Sequence, residues 1–320
     1  MNIELSEEAA EYGRQARRAL AAAGGDGLVQ LAETEPGGRE ALVTPVLAEL
    51  GAWDLAPRDS STELEAAAAL CRSGGYWAVP YPVAERLSRP ADLDVDGLVV
   101  VADAVPAAAV AGLDLRWAAV TLDGRRSLAV PRPPGEPPRM SAFVTRLDLQ
   151  AAAGNGEHDI ALGLVLPCWT LLGMLDRAME LTQAYVLTRE QFGQRLAAFQ
   201  GVQFQLTEAE VERAGVEILA TYALWSIQAS PASGGPSAID DALALRLAAV
   251  EAAEVVFRVA HQLHGAIGFC DETPLSWLSR YSQPLRRLPF GLSGTRTALT
   301  GRIGRIGLAG LFSAGKDSGE

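Results

Sequence analysis

Residues 184–203, AYVLTREQFGQRLAAFQGVQ, contain the junction around which this chain is organised. The first part continues an apolar-periodic run that predicts a helix, and a second helical run begins near Leu196. Between the two runs, Arg189 and Phe192 precede a break at Gly193. Because a guanidinium can hold a phosphate through two hydrogen bonds and an aromatic ring offers a flat apolar face, the junction suits an anionic, planar ligand. On spacing alone, an arginine at a solvated helix end beside a core phenylalanine is the commoner arrangement.

A second element, HQLHGAIGF at His261–Phe269, lies downstream. Together the two elements carry a family resemblance. Arg-x-x-Phe-Gly followed shortly by Phe-Gln resembles the helix-connecting segment of the acyl-CoA dehydrogenase family, and HQLHGAIGF is similar to its Gln-x-x-Gly-Gly-x-Gly segment. The interval between the elements also fits. The resemblance covers about Asp159 to Gly307 well and the N-terminal helical part only weakly.

Composition and charge restrict the class of protein. The chain has 320 residues, of which 49% are hydrophobic and 21% charged, and alanine and leucine outnumber the aromatic residues, which favours helix over sheet. A net charge of −12 argues against a nucleic acid or an anionic membrane as partner, since either would need a basic face. The three cysteines are far apart without a CxxC pair, and no histidine has metal-ligand spacing, so neither a disulfide framework nor a metal site is predicted.

Targeting and membrane signals are weak. The first twenty residues are acidic and amphipathic, without the basic start and apolar core of a secretory signal. The longest uncharged apolar stretch, Ile160 to Leu175, contains Gly163 and Pro167 and is shorter than the roughly 20 residues that span a bilayer. We therefore expect a buried helix in a cytoplasmic protein.

The order of the segments predicts a mainly α protein with a small β segment. We expect an N-terminal helical domain at residues 1–90, a reduced middle β-domain at 91–150 and a C-terminal four-helix bundle at 151–320. Ser6 is the expected N-cap of the first helix, and Asp123-Gly124 the expected hairpin turn. The further predictions are helices to about Ala23 and at 38–50, 62–71, 160–188, 199–228, 238–263, 274–287 and 293–311, a strandlike stretch at 76–85, a linker at 151–159 and a loop at 231–236.

The family resemblance implies how a cofactor would be held. In acyl-CoA dehydrogenases FAD lies across a subunit interface, with the flavin ring in one subunit and the pyrophosphate and adenosine in the bundle of its neighbour. By that resemblance Arg189 would bind the pyrophosphate and Phe192 would pack on the cofactor. The second glycine of the family pair is Ala266 here. A helix C-cap at Gly265 or Gly268 is an alternative, compatible explanation of this turn. The implied contacts to the adenosine half are Gln200, Gln262, Leu263, His264, Gly265 and Ala266.

No catalytic base is found at the positions that the resemblance implies. Removing a thioester α-proton needs a desolvated carboxylate of raised pKa. Most family members place this glutamate before the last long helix, where the sequence has Ser293 or Pro289, depending on the alignment. A minority take it from the helix before Arg-x-x-Phe-Gly, where the sequence has Gly163. We interpret Ser293 as a helix N-cap, and the nearby acids Asp271 and Glu272 as helix caps.

The resemblance therefore predicts a subunit without chemistry of its own. The family's Thr-Glu-Pro and Gly-Ser-Asp stretch, which packs on the flavin ring, is also absent. Actinobacterial acyl-CoA dehydrogenases of steroid catabolism include α2β2 assemblies that pair a short degenerate subunit with a complete one. We expect such a complete subunit as partner, FAD shared with it at the interface, an acyl-CoA substrate and an electron-transfer flavoprotein as acceptor. Two alternatives stay open: a self-sufficient flavoenzyme with Glu272 as base, and a non-enzymatic helical interaction subunit.

Overall fold

Helices dominate the computed structural model, which describes residues 4–133, 141–229 and 236–306. The helices are α1 Glu7–Ala22, α2 Gly27–Thr34, α3 Arg39–Glu49, α4 Ser61–Tyr76, α5 Val83–Leu87, α6 Glu157–Thr188, α7 Gln200–Ala229, α8 Pro236–His264, α9 Pro274–Tyr281, α10 Gln283–Arg287 and α11 Gly291–Ile306. The strands are β1 Gly97–Val100, β2 Ala107–Ala108, β3 Trp117–Val120, β4 Arg125–Pro131, β5 Thr145–Asn155, β6 Glu190–Gln191 and β7 Gln194–Arg195. The prediction of a mainly helical protein with a small β region is confirmed. The division into domains at residues 90 and 150 stays a prediction.

The N-terminal helices differ from the predicted ones in three places, of which the first is that α2 was not predicted. The predicted cap is confirmed, since the Ser6 hydroxyl accepts a hydrogen bond from the Ala9 N–H at 3.4 Å. The predicted end of the third helix is wrong, because α4 continues through Gly74 and Gly75 to Tyr76. The predicted strandlike stretch at 76–85 is also wrong: the chain turns there and enters α5. It contains two prolines, which cannot donate a hydrogen bond to a sheet.

The sheet has the strand order β1-β3-β4-β5-β2, with β1 parallel to β3 and the other pairs antiparallel. Trp117 pairs with Ala129, and the predicted hairpin turn is confirmed, with Gly124 at φ +80° between β3 and β4. The linker predicted at 151–159 is wrong. Residues up to Asn155 pair with β4, and α6 starts two residues later. This segment forms a strand because β4 is there to pair with it, which its glycine- and alanine-rich composition does not reveal.

The C-terminal part is the predicted four-helix bundle of α6, α7, α8 and α11. Helices α7 and α8 are antiparallel, since Ser226 bonds to Asp241 at one end and Glu208 pairs with Arg258 towards the other. The helix predicted at 274–287 is divided at Ser282 into α9 and α10. Most of the predicted loop at 231–236, and the last five residues of the helix predicted at 293–311, lie outside the described residues.

Helix α6 is the core of the molecule. Within the described ranges it is the helix whose length and composition would allow it to cross a membrane, but 78% of its most apolar window is buried inside the protein. Trp169 is fully buried on it. The predicted buried helix is therefore observed, and Pro167 lies inside it without ending it.

Helices α4 and α6 touch through their backbones. A Cβ atom on Gly75 of α4 would lie 1.8 Å from the carbonyl oxygen of Thr170, and one on Gly173 of α6 would lie 1.9 Å from the carbonyl oxygen of Arg72. Nearby, the Arg72 guanidinium is paired with Asp176 of α6 at 2.6 Å. The contact explains why α4 does not end at its glycines: they are needed where the two helices meet.

We expect Gly75→Ala and Gly173→Ala each to lower the free energy of unfolding by about 3 kcal/mol, because an added methyl must push two backbones apart. Gly215→Ala in α7 is the matched control. No atom lies within 4 Å of its added Cβ, so it should stabilise the helix by up to about 1 kcal/mol. Denaturant unfolding followed by circular dichroism measures all three. Equal stability of the three variants would contradict the backbone contact.

Candidate functional site

The junction between α6 and α7 is a small hairpin. Strands β6 and β7 pair antiparallel, and Phe192 and Gly193 form the turn with φ values of 53° and 81°. Two left-handed residues in succession are typical of a tight two-residue hairpin turn. The predicted break at Gly193 is observed, but the strands on either side of it were not predicted. A phenylalanine in the left-handed region is uncommon, which marks the turn as specified by its surroundings.

The predicted ligand residues of this junction face outward. Arg189 directly follows α6 with an exposed side chain that forms no hydrogen bond or ion pair to the described residues. Phe192 is 92% exposed, with its ring edge towards Phe199 at a centroid distance of 6.3 Å. Gln200 is exposed at the start of α7. The alternative of a core phenylalanine is therefore wrong.

The second element is the end of α8 and the 3-10 turn that follows it, Gly265–Phe269. Gly265 has φ +65° with open space where a Cβ would stand, so it supplies the left-handed residue of a helix C-cap. Gln262 and Ala266 are exposed. Leu263 and His264 are buried, so from these two positions only the backbone can meet a ligand outside.

His264 joins the two elements. Its ring stacks on Tyr185 of α6 at 4.5 Å, and its Nδ1–H donates to the Ala260 carbonyl at 2.8 Å. Burial lowers the pKa of His264. Because Tyr185 lies one turn before Arg189, the stacking brings Arg189 and the Gly265 turn to the same end of the bundle. The structure thus brings together the two elements that were singled out in the sequence.

Exposed apolar side chains surround this end of the bundle and continue along α7. Phe204, Val211 and Ile218 are 64%, 64% and 53% exposed. Their spacing of seven residues places them on one helix face, which we call the α7 stripe. Phe269, beside the Gly265 turn, is 67% exposed. The sequence reading missed this stripe, although the seven-residue spacing in an otherwise polar helix face was the signal for it.

The two implied base positions meet at a cavity elsewhere in the molecule. This cavity, of about 120 Å³, lies between the N-terminal helices, the sheet and the bundle, and both Gly163 and Pro289 line it. A Cβ on Gly163 would lie 2.8 Å from Cγ2 of Val100, so even an alanine needs the Val100 side chain to move. Ser293 does not line the cavity. It is exposed inside the first turn of α11, which begins at Gly291, so its interpretation as an N-cap is wrong.

Neither of the nearby acids that we considered in the sequence reaches this cavity. Asp271 is paired with Arg280 at 2.6 Å on the surface, and Glu272 is exposed. The residue at the N-cap of α9 is Thr273, so the capping role expected for the two acids is wrong. Among the described lining residues the one acid is Glu85, and burial raises its pKa. Sequence reasoning missed Glu85 because the segment around it was read as a strand.

A flavin ring does not fit the cavity. Sites for ligands of drug size enclose roughly 300–1,000 Å³, whereas this cavity has about 120 Å³. The two outward-facing elements, unlike the cavity, have room for a dinucleotide. Arg189 has no ion-pair partner among the described residues and is available to phosphates, and the space beside Gly265 lets a ligand approach backbone N–H groups closely. The residues present therefore fit the dinucleotide end of FAD and not its ring.

Comparison with known proteins agrees with this geometry. Residues 163–305 match the acyl-CoA dehydrogenase C-terminal domain. The matched segment is 143 of the 320 residues, so the similarity to this family lies in the C-terminal part of the chain. The acyl-CoA dehydrogenase FadE27 of Mycobacterium tuberculosis is 33% identical over 143 residues, which are 42% of this chain and 35% of FadE27. The chain thus matches only about a third of the length of this curated relative.

Solved acyl-CoA dehydrogenase structures share the fold over nearly the whole chain. A chain of the ChsE4–ChsE5 complex from Mycobacterium tuberculosis has a TM-score of 0.72 at 17% identity, covering 97% of this chain and 100% of that one. A chain of the Tcur3481–Tcur3483 steroid acyl-CoA dehydrogenase has a TM-score of 0.74 at 19% identity, covering 94% and 99%. At such identities the likeness shows the fold alone, and it extends the family fold to the N-terminal helices and the sheet.

The buried histidine predicts a pH dependence. The pKa of His264 is lowered in the folded state, so the unfolded chain binds the proton more readily than the folded chain does. Stability is therefore present above the unfolded pKa of about 6.5 and is lost as pH falls below it. We expect the melting temperature to decrease as the pH is lowered from 6.5. The decrease should be less steep in His264→Phe, which keeps the stacking on Tyr185. Parallel profiles of the two proteins would contradict this role.

Proposed function

We propose that the chain is the short subunit of a heteromeric, FAD-dependent acyl-CoA dehydrogenase, in which it completes the FAD site of a full-length partner subunit. One observation carries the proposal. The elements that fit a dinucleotide face outward, whereas both implied base positions of the chain's own cavity hold residues without an acid. Such a chain can bind the cofactor of a neighbouring subunit, but it has no acid at these positions that could abstract a proton.

The outward-facing elements have the chemistry of a phosphate and adenosine clamp. The Arg189 guanidinium is a planar cation with several N–H donors. It forms no ion pair with an acid among the described residues. In a protein of net charge −12, a free arginine beside an exposed aromatic ring is a local site for an anion. Phe192 offers its ring to the cofactor, and Gln200 and Gln262 offer amides to the adenosine half.

The α7 stripe supplies a reason for a protein partner. A row of exposed apolar side chains on one helix face is a surface that an assembly can cover. The chain's likeness to chains of the ChsE4–ChsE5 and Tcur3481–Tcur3483 structures, each of which is named for two proteins, supports a hetero-oligomer. We expect an α2β2 arrangement, in which the partner supplies the flavin-ring site and the glutamate.

The reaction in this proposal is the α,β-desaturation of an acyl-CoA. The partner's carboxylate takes the α-proton, and FAD, when bound, accepts the hydride that leaves the β-carbon. This chain's own residues hold the dinucleotide in place, and an electron-transfer flavoprotein is the expected acceptor of the electrons. A steroid-derived thioester is one candidate substrate, since a structural neighbour is a steroid acyl-CoA dehydrogenase.

We expect Arg189→Ala to remove flavin from the co-expressed complex. Losing a charge-assisted, bidentate contact costs about 1.5–3 kcal/mol, or roughly ten- to a hundredfold in affinity. Arg116→Ala is the control, because Arg116 is an exposed arginine paired with Asp94 near the sheet. Flavin absorbance per chain after gel filtration measures the effect. Unchanged flavin in Arg189→Ala, or a chain that is yellow and oxidises a thioester without a partner, would contradict the proposed function.

We expect Phe204→Glu and Val211→Glu to prevent assembly, because a carboxylate on the α7 stripe would be buried unpaired in the interface. Leu31→Glu is the control, since Leu31 is 56% exposed on α2, outside the bundle. Co-purification with a tagged partner measures assembly, and circular dichroism checks that each variant is folded. Co-purification that survives both substitutions would show that the partner binds elsewhere.

A further inference from the structure

Two buried arginines line the cavity that contains Gly163 and Pro289. Arg39 of α3 is 1% exposed and Arg246 of α8 is 3% exposed. They approach the cavity from opposite parts of the fold, one from the N-terminal helices and one from the bundle. Arginine is seldom fully buried unless it is paired with an acid. The groups that contact the two guanidinium groups therefore indicate what the cavity can bind.

Arg39 has carbonyl oxygens as partners and no acid. Its Nη1 donates to the oxygens of Pro80 and Ala109, each at 3.4 Å, and its Nη2 donates to the oxygen of Ala111. Its Nε–H has no partner among the described residues. The ring of Phe143 lies 4.5 Å from the guanidinium carbon. Burial lowers the pKa of Arg39 to about 10, so the side chain still carries its charge at neutral pH.

Arg246 repeats this pattern on the other wall. Its Nη1 donates to the carbonyl oxygen of Leu285 at 3.1 Å, and its Nη2 donates to that of Leu288. Its Nε–H also lacks a partner among the described residues, and no carboxylate of the described chain lies within ion-pair distance. Burial lowers its pKa. The cavity is thus lined by two cations whose hydrogen-bond partners in the described chain are all carbonyl oxygens.

The described lining does not supply the missing counterion. Glu85 is its one acid, it makes no ion pair with either arginine, and burial raises its pKa towards the neutral form. The rest of the lining is mainly apolar, which makes an uncompensated buried charge costly. Apolar members of this lining are Val79, Val99, Ala107, Phe143, Met174 and Leu288.

We propose that this cavity binds a small carboxylate with a short apolar tail. A carboxylate is the planar anion that guanidinium groups bind best, and in this cavity it would give the two buried cations the ion-pair partner that they lack among the described residues. The apolar lining suits a short hydrocarbon chain. A volume of about 120 Å³ is too small to enclose a coenzyme A moiety but holds a short free acid, so a free acid is the ligand that we propose. The inference requires neither a partner subunit nor a flavin, so it can fail or succeed independently of the proposed function.

The test uses the full-length chain and sodium butanoate, with butanamide as a neutral ligand of the same shape. We expect butanoate to raise the melting temperature in a saturable way and to give a one-site isotherm in titration calorimetry, and butanamide to do neither. Arg246→Gln removes the charge and keeps a polar side chain on the same stem. It should weaken butanoate binding at least tenfold.

A cavity-filling substitution tests the location of the site without touching a charge. Ala108 lines the cavity and is 7% exposed, so Ala108→Leu should occupy the space of the ligand tail and abolish the response to butanoate. The comparison of butanoate with butanamide on the unsubstituted chain remains decisive if a variant does not fold. No saturable response to butanoate, an equal response to butanamide, or unchanged affinity in a folded Arg246→Gln would overturn the proposal. So would binding of butyryl-CoA in place of butanoate.

Discussion

The backbone contact between α4 and α6 is the constraint on which the rest of the structure depends. Because Gly75 and Gly173 let the two helices touch, α6 is fixed against the N-terminal helices along its middle. The cavity with the two unpaired arginines lies beside this contact. The hairpin with Arg189 lies at the far end of the same helix. One rigid helix therefore separates an inward-facing site from an outward-facing one, and each could change without the other.

A buried ion cluster fixes the other end of α6. Arg126 of β4 pairs with Asp92 at 2.6 Å and with Asp159 at 2.8 Å, and Arg58 pairs with Asp159 at 2.9 Å. Charged groups are costly to bury, but here each cation has a carboxylate, so removing one partner would leave an unpaired charge. Arg39 and Arg246, in contrast, form no ion pair with a carboxylate of the described chain. The contrast is the reason that those two arginines indicate a ligand and Arg126 does not.

Several local features were predicted correctly from the sequence, although the helix caps expected at Ser293, Asp271 and Glu272 were wrong, and features that depend on distant residues were missed. Apolar periodicity gave the bundle helices, and the Ser6 cap and the Asp123-Gly124 turn follow from the chemistry of single residues. The end of α4 was predicted wrongly because its glycines serve contact with another helix, which local propensity does not record. At the site, the two outward elements were found through their motifs. Glu85 and the arginines of the cavity were missed because they meet only in the folded chain.

The close packing at Gly163 restricts the evolutionary future of this subunit. Since a Cβ there would lie 2.8 Å from Cγ2 of Val100, an acid at this position would have to displace that side chain. An acid at this position therefore needs at least one further substitution that makes room for its side chain, so a single mutation here does not supply a catalytic base.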